Sequence, residues 1–167
     1  MNQLQSFPPL ATASAHTLIL GSMPGSASLS AEQYYAHPRN LFWPLMGELL
    51  GFAAQSSYPE RVAALTGQGY ALWDVLDACR RSGSLDSAIE TDSMKINDFA
   101  RFLTAHPHID RVFFNGAFAE GLFRRRVLPT LGPRAAELSL TRLPSTSPAN
   151  AAMSRETRRA AWEAILR

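Results

Sequence analysis

The segment that decides the fold is His16-Thr-Leu-Ile-Leu20, which runs directly into Gly21-Ser-Met-Pro-Gly25. A short apolar run with no polar face is typical of a strand that is buried on both sides. The glycines and the proline that follow are turn formers. These residues therefore predict a central strand over residues 16–20 that ends in a tight loop.

The same succession of apolar run and turn recurs along the chain. Strands that alternate with helices pair in parallel through right-handed crossovers. We therefore expect an α/β fold, a three-layer α/β/α sandwich around a four-stranded parallel sheet, in a single domain over residues 1–167. Pro44 is expected in the first turn of its helix and Asn97 as a helix cap. The further strands are predicted at 70–76, 111–116 and 137–143, and the helices at 40–50, 59–65, 96–105, 117–126 and from about 154.

Composition excludes several classes of protein. With 167 residues, of which 46% are hydrophobic, the chain can build one full core. Its apolar runs are far shorter than the roughly 20 residues of a membrane-spanning helix, and its first residues lack the features of a signal peptide. Cys79 has no cysteine partner for a disulfide, an iron–sulfur cluster or a cysteine zinc site, and His106 with His108 favours a surface turn over a metal site. We expect a soluble, cytoplasmic protein with no metal and no cofactor.

The net charge of +2 hides an asymmetry along the chain. Residues 1–119 carry 7 basic and 10 acidic side chains, a balance of −3, whereas residues 120–167 carry 9 and 4, a balance of +5. All basic residues except Lys95 are arginines, whose planar forks suit phosphate. Two interpretations are open for this charge and for the run at 124–126: a solvated helix face, or a surface that faces a polyanion.

The loops after three of the four predicted strands are the candidate site. In open parallel sheets the ligand lies beyond the carboxyl ends of the strands. These loops, at residues 21–28, 115–116 and 144–150, are rich in Gly, Ser, Asn and Pro. Small residues let backbone amides approach a ligand, and serine hydroxyls are natural phosphate partners. The first loop is neither a Walker loop nor a dinucleotide fingerprint, so ordinary turn chemistry also accounts for it.

An aromatic segment, Tyr34-Tyr-Ala-His-Pro-Arg-Asn-Leu-Phe-Trp43, follows the first loop. Four aromatics, an Arg and an Asn within ten residues suit the stacking of a planar base and contact with a nucleic-acid backbone. Trp43 is expected in the core. Tyr34, Tyr35 and Phe42 lie in a polar, proline-containing stretch, which favours a role in the site.

Four motifs, taken in order and spacing, resemble the uracil-DNA glycosylase superfamily. The hypoxanthine-DNA (deoxyinosine) glycosylase branch is the most similar, followed by the mismatch-specific uracil-DNA glycosylases. Residues 69–76 and 80–86 also resemble that branch, so the likeness covers most of the chain. The motifs are Gly21-Ser-Met-Pro-Gly25, His37-Pro-Arg-Asn-Leu-Phe-Trp43, Phe113-Phe-Asn-Gly116 and Pro144-Ser-Thr-Ser-Pro148.

This resemblance implies an enzyme of base excision repair. Its partner would be DNA containing deaminated bases, from which it flips hypoxanthine, with uracil and xanthine as further substrates, and hydrolyses the N-glycosidic bond. A mismatch-specific uracil-DNA glycosylase is the alternative within the family. We expect a monomer.

The resemblance also implies roles for individual residues. Phe42 matches the aromatic on which the family stacks the base, and Asn115 matches the amide that hydrogen-bonds its lactam edge. Backbone amides around Ser22 and Met23 would bind the carbonyl oxygen on which charge grows. The residues that match the DNA-binding loop, which pinches phosphates and leads to the minor-groove wedge, are Ser145, Thr146, Ser147 and Pro148.

The chain departs from many relatives at the catalytic position. Ser22 or a neighbour stands where they have an Asp or Asn, and Leu143 or Ser145 stands where others have a His. In the deoxyinosine branch an Asn of the Pro-Arg-Asn segment positions the water, and this maps onto Asn40. An amide does not usefully take up a proton at neutral pH, but it orients water, which suffices if the transition state is dissociative.

Several alternatives stay open. Lys95 lies outside every motif, so no amine is placed for a Schiff base and we expect base excision without strand cleavage. A non-catalytic module that binds damaged DNA and a hydrolase of free nucleosides or nucleotides are the rival functions. Asp74 is either a structural contact or a site residue.

Residues 79–86 are too rich in Ser, Gly and Arg to be expected in the core. Within them, Asp86 either forms a loop-ordering ion pair with Arg80 and Arg81, or these arginines contact DNA phosphates.

Overall fold

A computed structural model describes residues 2–167 and contains two sheets. The larger sheet has the four parallel strands that the sequence predicts. In chain order the strands are β1 (Gln3–Gln5), β2 (Thr17–Gly21), β3 (Tyr70–Asp74), β4 (Leu76–Arg80), β5 (Lys95–Ile96), β6 (Arg111–Asn115) and β7 (Ser139–Leu143). The order in the parallel sheet is β3-β2-β6-β7, so the strand that opens the candidate site lies in the interior.

The second sheet was not predicted. It is antiparallel, with the order β1-β4-β5, and pairs Gln3 with Arg80, which is 77 positions further along the chain. The predicted strand over 70–76 ends at Asp74, because the chain turns at Val75, whose backbone N–H donates to the Gly21 carbonyl at 2.9 Å. The residues after the turn enter the antiparallel sheet instead.

Six α-helices occur among residues 2–167. Pro44 lies in the first turn of its helix, as predicted, and Ser154 caps the last helix by accepting from the Thr157 N–H at 3.1 Å. The short helix at 26–31 was not predicted. The helices are α1 (Ser26–Ala31), α2 (Phe42–Leu50), α3 (Tyr58–Gly67), α4 (Phe99–Ala105), α5 (Ala117–Leu122) and α6 (Arg155–Trp162).

Several predicted helices have different bounds. α2 begins at Phe42 and not at residue 40, and α3 spans Tyr58–Gly67 and not 59–65. α4 begins at Phe99 and is capped by Asp98, which accepts from the Arg101 N–H at 3.1 Å. The predicted cap Asn97 is wrong, since its side chain donates to the Asp74 carbonyl at 2.8 Å. α5 ends at Leu122 and continues as a turn of π-helix over Phe123–Val127.

Apolar clusters on both faces of the parallel sheet form the core. Along β2, Leu18 and Leu20 pack in the cluster that contains the aromatic side chains of α4, whereas Ile19 packs with Trp43 and Trp162 on the other face. Burial on both faces explains why this strand reads as an uninterrupted apolar run. The three-layer arrangement and the core position of Trp43 are confirmed. Within residues 2–167 no helix is both long and apolar enough to cross a bilayer.

Candidate active site

A cavity of about 410 Å³ opens beyond the carboxyl ends of the parallel strands. Topology places it there, since the turns after β2, β3, β6 and β7 all meet at this edge of the sheet. The structure brings together every residue that the sequence placed in the site except Phe42. The predicted residues that line the cavity are Ser22, Met23, Asn40, Asn115, Ser145, Thr146, Ser147 and Pro148.

Asn115 is the last residue of β6, and its side chain is held by Thr146. The Asn115 Nδ2 donates to Thr146 Oγ1 at 2.9 Å, and the Thr146 N–H donates to Asn115 Oδ1 at 2.9 Å. A primary amide has two donor hydrogens and two acceptor lone pairs. One donor and one acceptor therefore remain for a ligand with a carbonyl beside an N–H.

Asn40 is fixed by the chain that follows it. Its Oδ1 accepts from the Phe42 N–H at 2.9 Å, just before α2 begins. The Leu41 N–H donates to the Thr146 carbonyl at 3.1 Å. Thr146 is thus the common anchor of both asparagine segments, and it is 1% exposed. Sequence reasoning placed this threonine among the DNA contacts and did not identify its internal role.

Phe42 does not line the cavity, which corrects its expected exposure. Its side chain is fully buried, with the Trp43 and Trp162 rings packed edge-on against it. The Tyr35 ring stacks on it with centroids 4.2 Å apart and planes 25° apart. A base could therefore stack on Phe42 only after Tyr35 has moved, and the stacking role stays a prediction.

Tyr35 itself lines the cavity from a left-handed backbone conformation, with φ of 55°. Such a φ is uncommon for a residue with a bulky side chain. Its hydroxyl is buried and makes no hydrogen bond of standard geometry. Burial, reinforced by the nearby Asp74 carboxyl, raises the pKa of the Tyr35 hydroxyl, so the ring is neutral.

Asp74 ends β3 on the opposite side of the cavity from Asn115. It is 3% exposed, and its Oδ2 is buried with no hydrogen-bond partner. Burial and, to a smaller extent, the Asp86 carboxyl together raise the pKa of Asp74 to about 7, against the opposing effect of the Arg81 guanidinium. Of the two interpretations left open by the sequence, the position of Asp74 in the cavity favours a site residue.

Asp86 lies in the cavity beside Asp74. Its Oδ1 accepts from the Ser22 hydroxyl at 2.6 Å, and burial raises the pKa of this carboxyl, while Ser22 and Arg81 oppose the shift. The expected ion pair with Arg80 or Arg81 does not form among residues 2–167. Arg80 pairs with Glu90 at 2.6 Å, while Arg81 donates to the carbonyls of Gly83 and Pro24.

Residues 79–81 also correct the expectation that this segment lies outside the core. Cys79 and Arg81 are both buried, because β4 carries the chain into the antiparallel sheet beneath the cavity loops. The local composition gave no signal for this, because Arg80 pairs with Gln3, which lies 77 positions earlier in the sequence.

The loop over 144–150 is ordered by its own hydroxyls. Ser145 Oγ accepts from the Ser147 N–H at 3.1 Å, and Ser147 Oγ accepts from the Ala149 N–H at 3.2 Å. The Asn150 side chain donates to the Ser145 carbonyl at 3.1 Å. Because both serine oxygens act as acceptors here, their O–H hydrogens are available to a phosphate oxygen.

Within the part of the chain that the structure describes, no cluster of His, Cys, Asp and Glu has the composition of a metal site. The polar groups that line the cavity are amides, hydroxyls, the imidazole of His37, the buried carboxyl of Asp74 and the partly buried carboxyl of Asp86. The fold and this cavity define a class of protein: an α/β domain with a polar cavity beyond the carboxyl ends of a four-stranded parallel sheet.

Comparison with known proteins gives the family. The family model described as the uracil DNA glycosylase superfamily matches residues 8–166. A hypoxanthine DNA glycosylase of Methanosarcina acetivorans is 35% identical over 98% of both chains. One of Methanosarcina barkeri is 41% identical over 67% of this chain and 70% of its own. This chain belongs to the uracil DNA glycosylase superfamily, and the resemblance seen in its motifs is confirmed.

A solved structure agrees with the fold. The solution NMR structure of a Methanosarcina acetivorans protein, described as a candidate uracil DNA glycosylase, superposes with a TM-score of 0.82 at 34% identity. The alignment covers 99% of this chain and 98% of that chain. The similarity therefore extends over the whole three-layer domain and includes all the loops that form the cavity.

Proposed function

We propose that this protein removes hypoxanthine from DNA by hydrolysing its N-glycosidic bond, with Asn40 and Asn115 as the principal groups. The activity of a DNA glycosylase on deaminated bases is supported by membership of the superfamily and by two relatives named hypoxanthine DNA glycosylase. The observation that carries the proposal is the shared anchoring of both asparagine segments by Thr146 at the edge of one cavity.

Asn115 is the proposed reader of the base. Its remaining N–H and lone pair match the carbonyl and N–H of a lactam edge, which hypoxanthine and uracil share. Adenine and cytosine present an amino group beside an unprotonated ring nitrogen instead. Because Thr146 fixes the amide through two hydrogen bonds, the amide does not flip to accept that reversed pattern.

Asn40 is the proposed water-positioning residue. Its Oδ1 accepts one backbone N–H and keeps a second lone pair for a water hydrogen. Such an amide orients the nucleophile without taking its proton. The bond to the base therefore breaks early, and stabilisation of the departing base supplies most of the rate enhancement, with backbone amides around Ser22 and Met23 facing its carbonyl oxygen.

The DNA backbone is the proposed ligand of the 144–150 loop. Ser145 and Ser147 keep their O–H hydrogens for phosphate oxygens, and Pro148 lies next to them at the cavity edge. This arrangement would fix the register of the strand on either side of the everted nucleotide.

We also propose that the chain acts as a single domain over 1–167 and as a cytoplasmic monomer. The support for a monomer is the small number of large apolar side chains on the surface. Among residues 2–167 these are Leu85 and Leu166, at 56% and 49% exposed. Such isolated side chains do not form the contiguous apolar patch that an obligate dimer buries.

The proposal is tested with labelled duplexes that hold hypoxanthine, uracil or xanthine, followed by alkaline cleavage of abasic sites. Wild-type protein is expected to release hypoxanthine and leave an abasic site at which alkali cuts the strand. Asn40→Ala is expected to bind this DNA but to excise at least about 100-fold more slowly. Asn115→Ala is expected to change the order of preference among the three bases.

The matched control is Asn2→Ala, which removes an exposed asparagine that does not line the cavity. It is expected to behave as wild type. Intact strands with all three bases would reject the proposal, and so would an Asn40→Ala variant as active as Asn2→Ala.

A further inference from the structure

The carboxyl of Asp74 lines the cavity and has no part in the proposed mechanism. It ends β3, whereas Asn115 ends β6, and β2 lies between them in the sheet. Two strand spacings separate these ends by about 10 Å. The carboxyl and the amide thus line the same cavity from positions on either side of the central strand.

Gly21, at the end of β2, keeps the space between them open. A Cβ at this position would lie 2.5 Å from Asp74 Oδ1 and 2.9 Å from the Tyr35 hydroxyl oxygen. Any side chain here would collide with both groups. With glycine at position 21, the Asp74 carboxyl and the Tyr35 hydroxyl both fit beside the end of β2.

The position of the Tyr35 ring shows which side chains lie around a planar group that stacks on Phe42. It stacks on Phe42, and its hydroxyl oxygen is buried. The side chains of Asp74 and Asn115 lie near that hydroxyl, where Asp74 raises its pKa and Asn115 lowers it. A base that replaced Tyr35 on the Phe42 ring would present its polar edge atoms to the same amide and the same carboxyl.

The surroundings of Asp74 favour its neutral form. The titratable and charged groups that face it are Asp86, Arg81, Tyr34 and Tyr35. No ion pair among residues 2–167 includes Asp74. Arg81 donates through Nε and Nη2 to backbone carbonyls, while its Nη1 is buried without a hydrogen-bond partner. Burial raises the pKa of both tyrosines, which are neutral. A buried carboxyl beside a second carboxyl keeps its proton to higher pH.

We propose that Asp74 contacts the everted purine as a neutral acid and donates a hydrogen bond to a ring nitrogen that hypoxanthine has and uracil lacks. The inference rests on the proposed excision of hypoxanthine. Hypoxanthine carries two acceptor nitrogens, N3 and N7, away from its lactam edge, whereas uracil has no free ring nitrogen, since one of its nitrogens bears the sugar and the other a hydrogen. A donor there stabilises the purine as it departs with the bonding electron pair. Asn115 reads what the two bases share, and Asp74 reads what distinguishes them.

The wild-type protein provides the first test, through single-turnover excision of hypoxanthine as a function of pH. Above about pH 7 Asp74 loses the proton that it donates, so the rate is expected to fall by roughly 10-fold between about pH 6 and pH 8.5. A rate that rises over this interval would assign Asp74 to the activation of water as a carboxylate and overturn the inference.

Two substitutions sharpen the test. Asp74→Asn keeps a donor that does not ionise, so its rate is expected to be independent of pH over the same interval. Asp74→Leu has no donor, and we expect it to excise hypoxanthine roughly 10- to 100-fold more slowly at low pH, with uracil excision unaffected. The exposed Asp110→Asn is the control and is expected to keep the wild-type profile.

The outcomes separate this inference from the proposed function. Release of no base by the wild-type protein would end the proposed function. Release of hypoxanthine with the same pH profile in wild type and Asp74→Asn would end only the assignment of Asp74. Where a variant fails to fold, as judged by circular dichroism, the wild-type profile alone decides between a neutral donor and a carboxylate base.

Discussion

The two sides of the cavity are built on opposite principles. On the side of β6 and β7, Asn115 exchanges two hydrogen bonds with Thr146, whose carbonyl accepts a third from Leu41. On the side of β3, Asp74 is buried with an unpaired oxygen, and a second carboxyl, that of Asp86, lies nearby. Satisfied polar groups fix geometry at little cost, whereas unpaired buried carboxyls reduce stability and hold their protons. One side of the site is rigid, and the other is responsive to pH.

The largest expected effect is on the pH dependence of stability, and it comes from replacing the carboxyl of Asp74. The folded-state pKa of Asp74, about 7, lies above its unfolded value of 3.8. Stability contributed by the protonated acid is therefore complete below pH 3.8 and is lost as pH rises through about 7. Asp74→Asn removes this loss, so its stability relative to wild type is expected to increase by about 2–3 kcal/mol between about pH 5 and pH 8.

Urea unfolding of both proteins at the two pH values measures this difference, with Asp110→Asn as the exposed control. A gap between Asp74→Asn and wild type that does not change with pH would show that the carboxyl is not shifted by burial.

The next effect concerns the space between the two sides. Gly21→Ala places a Cβ 2.5 Å from Asp74 Oδ1, so it is expected to destabilise the fold by about 1–3 kcal/mol through overpacking. It should also slow hypoxanthine excision. Gly67→Ala is the matched control, because nothing lies within 4 Å of its added methyl group. Equal melting temperatures for the two variants would contradict the close approach at Gly21.

A smaller effect is expected on the amide side. Thr146→Val removes the hydroxyl that accepts from Asn115 Nδ2, but keeps the backbone N–H that donates to Oδ1. With one of two anchors lost, hypoxanthine excision should slow by about 10-fold. Thr146→Ser retains the hydroxyl and should stay near the wild-type rate. Equal rates for the Val and Ser variants would show that the hydroxyl does not position the amide.

The smallest expected effect is none at all. Neither side of the cavity carries a lysine, since Lys95 is exposed on β5 and does not line it. Borohydride reduction in the presence of hypoxanthine-containing DNA should therefore trap no covalent complex. A trapped adduct would contradict hydrolysis without strand cleavage.

The sequence predicts the parallel sheet well because its strands are buried on both faces. The apolar run that ends at Leu20 identifies β2 without ambiguity, and the turns behind the strands identify the edge that carries the site. The antiparallel sheet could not be predicted, because β1 is only three residues long, too short for a pattern, and pairs with residues more than 70 positions away.

Side-chain partners in the site were equally hidden. Asn115 and Thr146 are 31 positions apart, and nothing in either motif indicates that the threonine holds the amide. The place of Tyr35 over Phe42 depends on a left-handed backbone conformation that tyrosine seldom adopts. Motifs thus identified which residues gather at the cavity, while their contacts followed only from the folded chain.

The most direct test of the central claim is chromatographic detection of free base from a hypoxanthine-containing duplex incubated with purified protein in the presence of a chelator. The account predicts that hypoxanthine is released with one abasic site per molecule of base, and that Asn40→Ala releases it far more slowly. Recovery of the duplex intact, or release that requires an added metal ion, would contradict a site in which neutral amides sever the base from its sugar.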